Sequence, residues 1–393
     1  MTVIIRFLAP WLLAAAVAAA QAAPYLPPSD STVLERLPER AADPRARELR
    51  ALRSRLNANP NDADTAARLA RAYFDLVAAE GDPRYIGYAQ AALSPWWNAA
   101  DAPDAVRVAR ALLRQFNHGF DAATADLRAV TARTPTHGEA WAWLAAIAMV
   151  QARYDDARAA CAATAAQASA LIVTACTAAA DALTGRATAA AGALRRALED
   201  AADASPAERL WALTRLAEIE ERRGEWAAAE AAFREALALG LADGYLQAAY
   251  ADFLLDRGRP REVLALLQGR ERSDLLLLRL ALAAKAAGAP ELARWQADMA
   301  ARFDAARRRG DATHEKEESR FVLALQGDAA RALDLAQRNY AIQREPADAR
   351  ALLEAALAAG RPEAAKPALD WLDRHGVESV ALRALAARLR GVR

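Results

Sequence analysis

Lysine is nearly missing from this chain: of 51 basic residues in 393, only Lys285, Lys316 and Lys366 are lysines. That skew reads as codon bias in a GC-rich genome more than as chemistry. An excess of either charge is missing too, since 51 basic and 50 acidic residues leave a formal net charge of +1. With both signs spread along the chain, no basic stripe exists to neutralise phosphates, which argues against a nucleic-acid partner. A polybasic membrane anchor is likewise absent. Segments rich in β-branched residues are scarce, so strands have little to build on. His-Glu-x-x-His, a phosphate loop, a dinucleotide fingerprint and a nucleophile elbow do not occur, so no catalytic or cofactor-binding motif nominates an enzyme. Catalytic dyads assembled from distant segments stay open, but no residues suggest one.

Alanine dominates what is there, with leucine, arginine and glutamate, against 17 glycines and 17 prolines. These are the strongest helix formers, and an all-α chain is expected. Arg6 precedes an apolar run from Phe7 to Ala20, and Ala20-Gln21-Ala22 is a small-x-small cleavage pattern. Residues 1–22 therefore read as a secretory signal peptide, cut after Ala22, and the composition points to a bacterial periplasm. An uncleaved anchor is the alternative, although the run is short of the ~20 apolar residues a span needs. No cysteine near the cleavage site would carry a lipid. No later run has spanning length, so no membrane span is expected after cleavage. Residues 23–44, with Pro24, Pro27, Pro28, Pro38 and Pro44, read as a Pro-rich linker.

From Arg45 the helical pattern hardly stops, and it repeats. One unit reads Leu213-x-x-Leu216-Ala217, then Arg223-Gly224-Glu225-Trp226, Ala229, Phe233 and Ala236-Leu237. Leu216 and Ala217 pack the first helix and Gly224 ends it, because glycine takes the left-handed C-terminal conformation without penalty. Ala229 is a small contact and Phe233 fills the space between helices. Gly185, Gly224, Gly258, Gly288, Gly327 and Gly360 occupy equivalent turns, 39, 34, 30, 39 and 33 residues apart, close to a 34-residue period. Trp141-x-x-Leu144-Ala145, Tyr154 and Ala157 extend the pattern upstream, as does Leu69-Ala70-x-x-Tyr73.

On these residues the chain resembles the tetratricopeptide-repeat family over about 63–373. The resemblance implies an α-solenoid of stacked antiparallel helix pairs, about nine units within 45–393, with capping helices at 45–57 and 378–390. Units four, eight and nine lack the usual aromatic in their first helices. The resemblance also implies that ligands lie along the concave face lined by first helices. Placed by the turn glycines, that face holds Trp211, Thr214, Glu218 and Arg222, then Tyr245, Asp252 and Asp256. Leu278 and Lys285 follow, then His314, Glu317 and Phe321, then Arg350 and Glu354. An extended peptide or a partner's helix suits such a surface.

Cys161 and Cys176 are the only cysteines. They lie about equally far from a bend near Gln167-Ala168-Ser169, so antiparallel helices bring them face to face. A structural disulfide is expected, the alternative being two thiols filling the core. His314 and Glu318 share metal-ligand spacing, yet an ordinary solvated N-terminal turn explains them as well, and no metal site is expected. Pro95-Trp96-Trp97-Asn98 sits in a connection between units. Trp96 and Trp97 either cover the first hairpin or form an exposed anchor for a partner. The function expected is a non-catalytic periplasmic scaffold or adaptor for a protein or peptide. The alternatives are an envelope enzyme or solute-binding component with its site between units near His314, and a subunit that completes a membrane or envelope assembly.

Overall fold

The structure, a computed structural model, describes Ser29 and residues 44–80, 84–310 and 314–391. The expected signal peptide and, apart from Ser29 and Pro44, the expected linker lie outside the described residues. Contact density divides the chain after Glu48. Before that point the described residues include the first turn of α1 (Pro44–Ala58); everything below concerns Leu49–Arg393.

The described residues form helices alone, in nine antiparallel pairs between α1 and a last single helix. The pairs are α2 (Ala63–Glu80) with α3 (Arg84–Ala92), α4 (Asp104–Phe116) with α5 (Phe120–Arg133), and α6 (Gly138–Val150) with α7 (Tyr154–Ala163). Next come α8 (Ala170–Asp181) with α9 (Ala187–Asp200), α10 (Pro206–Arg223) with α11 (Trp226–Ala238), and α12 (Gly244–Asp256) with α13 (Pro260–Leu266). The last are α14 (Asp274–Ala287) with α15 (Leu292–Arg308), α16 (Glu315–Phe321) with α17 (Ala329–Ile342), and α18 (Pro346–Ala358) with α19 (Lys366–His375). Helix α20 (Val380–Gly391) closes the series. The fold is all-α, a solenoid of stacked hairpins.

Local chemistry sets each hairpin. Helix α10 starts at Ser205, whose hydroxyl accepts from the Glu208 amide while the Glu208 carboxylate accepts from the Ser205 amide, with Pro206 in the first turn. It stops at Gly224, φ +83°. Leu213, Leu216, Ala217, Ala229, Phe233 and Ala236 are all buried between its faces and those of α11. Burying a side chain such as Phe233 contributes roughly 1.5–3 kcal/mol. All six turn glycines of the repeat have positive φ, between +64° and +83°. The same left-handed turn recurs 33 residues before Gly185 at Ala152 (φ +57°) and 34 earlier still at His118 (φ +59°). Those two units escape a search for glycine.

The solenoid closes on itself. The amide of Arg344, between α17 and α18, donates to the Val150 carbonyl at 2.8 Å. Tyr154, at the start of α7, is buried; its hydroxyl accepts from Trp371 Nε1 at 3.0 Å and its ring meets His375 edge-on at 4.9 Å. Glu378 reaches back to accept from the Ala187 amide at 2.6 Å, capping α9 from 191 residues away. Val380 lies against Gly224, where an added Cβ would sit 3.3 Å from its Cγ1. The within-pair turns of units three to five are thus covered by α18–α20 and their connections.

The first hairpins carry a second constraint. Asp126 on α5, 4% exposed, takes Arg110 Nε at 2.8 Å and Arg114 Nη1 at 2.7 Å. The same guanidiniums donate to backbone carbonyls, Arg110 to Trp97 at 3.1 Å and Ala99 at 3.0 Å, and Arg114 to Trp97 at 3.0 Å. Arg114 also lies over the Trp97 ring, 5.4 Å from its centroid. Trp96 and Trp97 are therefore half-buried against the first hairpin's core, and the reading of them as an exposed anchor is corrected. The arginines draw the connection's carbonyls inward, and the rings follow.

Two stability outcomes follow from this packing. Asp126→Ala leaves buried guanidiniums without their carboxylate, and chemical denaturation should show a loss of about 3–5 kcal/mol. Gly258→Ala, with open space around it, should cost about 1–2 kcal/mol for the left-handed backbone alone. Gly224→Ala should cost measurably more, because its new methyl meets Val380; equal losses at the two sites would contradict the closed ring.

Candidate functional site

Closure turns the concave face into a hollow, and the register of each first helix decides what enters it. Counting back from the turn glycines, α10 presents Trp211, Arg215, Glu218 and Arg222, and α12 presents Tyr245, Asp252 and Asp256. Trp211 and Tyr245 are among the few large rings left accessible, 36% and 52% exposed. Tyr245 is nonetheless ringed by protein, as are Arg215 and Arg222, so the space they face is internal. The Tyr245 hydroxyl hydrogen-bonds to Glu218, and Arg215 lies over its ring at 4.8 Å while pairing with Glu218 at 3.0 Å.

Helix α16 breaks the register. Val322–Gln326 wind as a π turn before Gly327, which inserts one residue relative to the other units. Phe321, expected in the groove, is 2% exposed and packs on Phe303 with ring centroids 5.4 Å apart. Arg320 enters the hollow in its place. It grips Asp252 through two bonds of 3.0 Å, and Arg279 from α14 adds a third of 2.6 Å. The two guanidiniums outweigh burial and hold the Asp252 carboxyl far below the usual range.

A second clasp joins α18 to α12: Arg350 donates to Asp256 at 2.8 Å and through Nε to Glu354 at 2.7 Å. Asp252, Asp256 and Arg350, expected to meet a partner, are thus held by charges of this chain, Asp252 by Arg279 and Arg320 and Asp256 by Arg350. Lys285 donates to the Ala324 carbonyl. His314 stands at the start of α16, partly buried, and Glu318 is taken by Arg307 and Arg331, not by His314. Among the described residues no group of three or more metal-ligating side chains exists. Lys316 lies 3.5 Å from buried Asp348 and 3.6 Å from Glu317. Glu317 is held below its ordinary value by that ammonium, although burial opposes it. Glu345 is pushed up by burial and by Asp348.

Two neighbours stay unmatched. Among the described residues neither Glu221 nor Arg222 has a hydrogen bond or ion pair through its side chain, and Arg222 Nε is buried without a partner. Burial, with Asp256, Glu218 and Asp252 nearby, pushes the Glu221 carboxyl up to about 8. Arg222 is lowered from its ordinary value by burial. Among the described residues Arg222 therefore has only through-space attraction from Glu218 and Glu221, and burial favours the neutral form of Glu221.

Several of these residues were legible in the repeat. Arg215 and Arg279 each stand nine residues before a turn glycine, so one register of the repeat marks both. Arg320 was hidden by the π turn, and Glu345 and Asp348 by their place at a helix start. Cys161 and Cys176 are joined by a disulfide between α7 and α8, Cα–Cα 5.6 Å, across a sequence separation of 15.

No protein-family profile matches the chain, and no curated protein matches it. Among solved structures it is similar to a chain of the APC/C hetero-tetramer Cut9-Hcn1, at 11% identity and TM-score 0.40. That similarity covers 88% of this chain and 52% of the other, so this chain spans about half that protein's length. It is also similar to the TPR domain of P58(IPK), at 14% identity and TM-score 0.21, covering 90% of this chain and 94% of the other. Superpositions this loose carry no argument, and the assignment of a helical-repeat fold rests on the hairpins described above.

The Glu221 carboxyl makes stability depend on pH. Its folded pKa, about 8, lies above its ordinary 4.5, so between those values the folded chain binds more protons than the unfolded one. Stability then falls as pH rises from about 4.5 to about 8 and levels off above. Asp252 and Glu317, held low, act oppositely and lose their contribution only on acidification. Urea midpoints should show Glu221→Gln gaining on the wild type between pH 5 and pH 8; a constant difference would mean that Glu221 is ionised throughout.

Proposed function

We propose that the chain is a non-catalytic scaffold of the bacterial periplasm that holds a protein or peptide partner in the hollow between α10 and α18. The observation that carries this reading is the unmatched Arg222 near the accessible ring of Tyr245, with the accessible Trp211 about three turns earlier on α10. A carboxylate from a peptide chain would pair with Arg222, and the rings offer flat apolar area at low entropic cost. Because the ion pairs of Asp252 and Asp256 already span the hollow, an extended segment or chain end suits it better than a whole helix. Export is supported by the N-terminal signal pattern and by the Cys161–Cys176 disulfide, a bond that persists in oxidising compartments.

A solute-binding role near His314 is the second reading. It is favoured by the enclosure of Lys316, Glu317 and Asp348 in one charged group next to that residue.

Affinity capture from periplasmic extract tests the first reading. The mature chain should retain a protein that is lost, by about tenfold or more, with a Trp211→Ala, Arg222→Ala variant of unchanged helicity. Equal retention by both would place the partner outside the hollow, and retention of nothing would favour the solute.

A further inference from the structure

A second concavity lies on the seam where the ring closes, outside the charged hollow. It has a volume of about 540 Å³ and is walled by α5, the α6–α7 turn and the segment joining α17 to α18. That volume falls within the roughly 300–1,000 Å³ of small-molecule sites. Three guanidiniums line it, those of Arg128, Arg153 and Arg344, against the single carboxylate of Asp121. Among the described residues the side chains of Arg128 and Arg344 form no ion pair or hydrogen bond. Arg153 is braced by Asp156 and Gln151, both at 2.9 Å, which aims its guanidinium while its Nε stays buried without a partner. Thr124 Oγ1, on the α5 wall, is also buried and unpartnered.

Buried polar atoms are ordinarily paired, and two in one cavity under an excess of positive charge mark a place where an acceptor is missing. We propose that this cavity binds a small organic anion carrying two or more negative charges, as carboxylates or phosphate. Arg128 and Arg344 meet the charges from opposite walls, and Arg153 Nε and the Thr124 hydroxyl donate to the same anion. Ile342, 43% exposed at the rim, covers its carbon skeleton. Since one wall belongs to unit two and the other to the segment after α17, the anion ties together the two sides that the Arg344–Val150 backbone bond already joins. Binding therefore stabilises the closed ring. The proposal stands independently of any partner in the hollow.

Titration calorimetry on the mature chain at constant ionic strength tests it, with citrate, succinate and glycerol 3-phosphate as probes and acetate as the monovalent control. At least one multivalent probe should bind saturably at one site and raise the melting temperature, while acetate does neither. The carboxylate and phosphate arms separate the two chemistries. Arg128→Gln and Arg344→Gln should each weaken binding about tenfold, the loss of one charge-assisted contact. Arg344→Gln keeps the amide that bonds Val150, and exposed Arg388→Gln should change nothing. If either arginine variant fails to fold, Thr124→Val removes one donor at nearly constant shape and should weaken binding several-fold. Absence of saturable binding by every probe, or binding indifferent to these substitutions, overturns the proposal.

Discussion

The structure depends on the seam where its last helices return to the turns of units three to five. An open solenoid contacts only its neighbours along the chain, so its stability is close to a sum over units. Here Tyr154 and Trp371, 217 residues apart, share one hydrogen bond in one continuous core. Glu378 supplies the cap that α9 lacks locally, and the Arg344 amide finds its acceptor at Val150. Each bond is worth only about 1 kcal/mol net, but each satisfies a group that burial would otherwise leave unpaired. Closure adds long-range cooperativity to an architecture that usually has little.

Closure also alters the electrostatics of the concave face. First-helix charges that would be solvated on an open superhelix are brought within reach of one another. Asp252 with Arg279 and Arg320, and Asp256 with Arg350, are the result. Pairs removed from water contribute little net stability against the desolvation they incur, so their effect is better read as geometric. They set the spacing of α12 against α16 and α18. What they leave over is Arg222, without a hydrogen bond or ion pair through its side chain, and Glu221, whose carboxyl burial pushes up.

Much of the fold was legible because its signals are local. The turn glycines need positive φ wherever the chain lies, so their spacing reported the hairpins directly, and Leu216, Ala217, Ala229 and Phe233 fell on the buried faces their periodicity implied. Glu218, Arg222 and Tyr245 come together between α10 and α12. Phe321 does not face the hollow, because a π turn shifts α16 by one residue and swaps it for Arg320; nothing in a helical period announces such an insertion. The sequence left two readings for the Trp96–Trp97 connection for a related reason. What buries those rings is a set of arginines 13 to 17 residues downstream, pulled inward by Asp126.

The amino-acid sequence by itself determined the helices, their pairing and the places where they turn, since propensity, caps and left-handed glycines act over a few residues. Only the tertiary structure decided that the stack bends far enough to meet itself. That bend is the accumulated result of small rotations at every hairpin interface, each set by side-chain volumes packed against one another. It determines which charges neutralise each other, which arginine is left without a partner, and that a cavity rich in guanidinium forms between units two and three and the segment after α17.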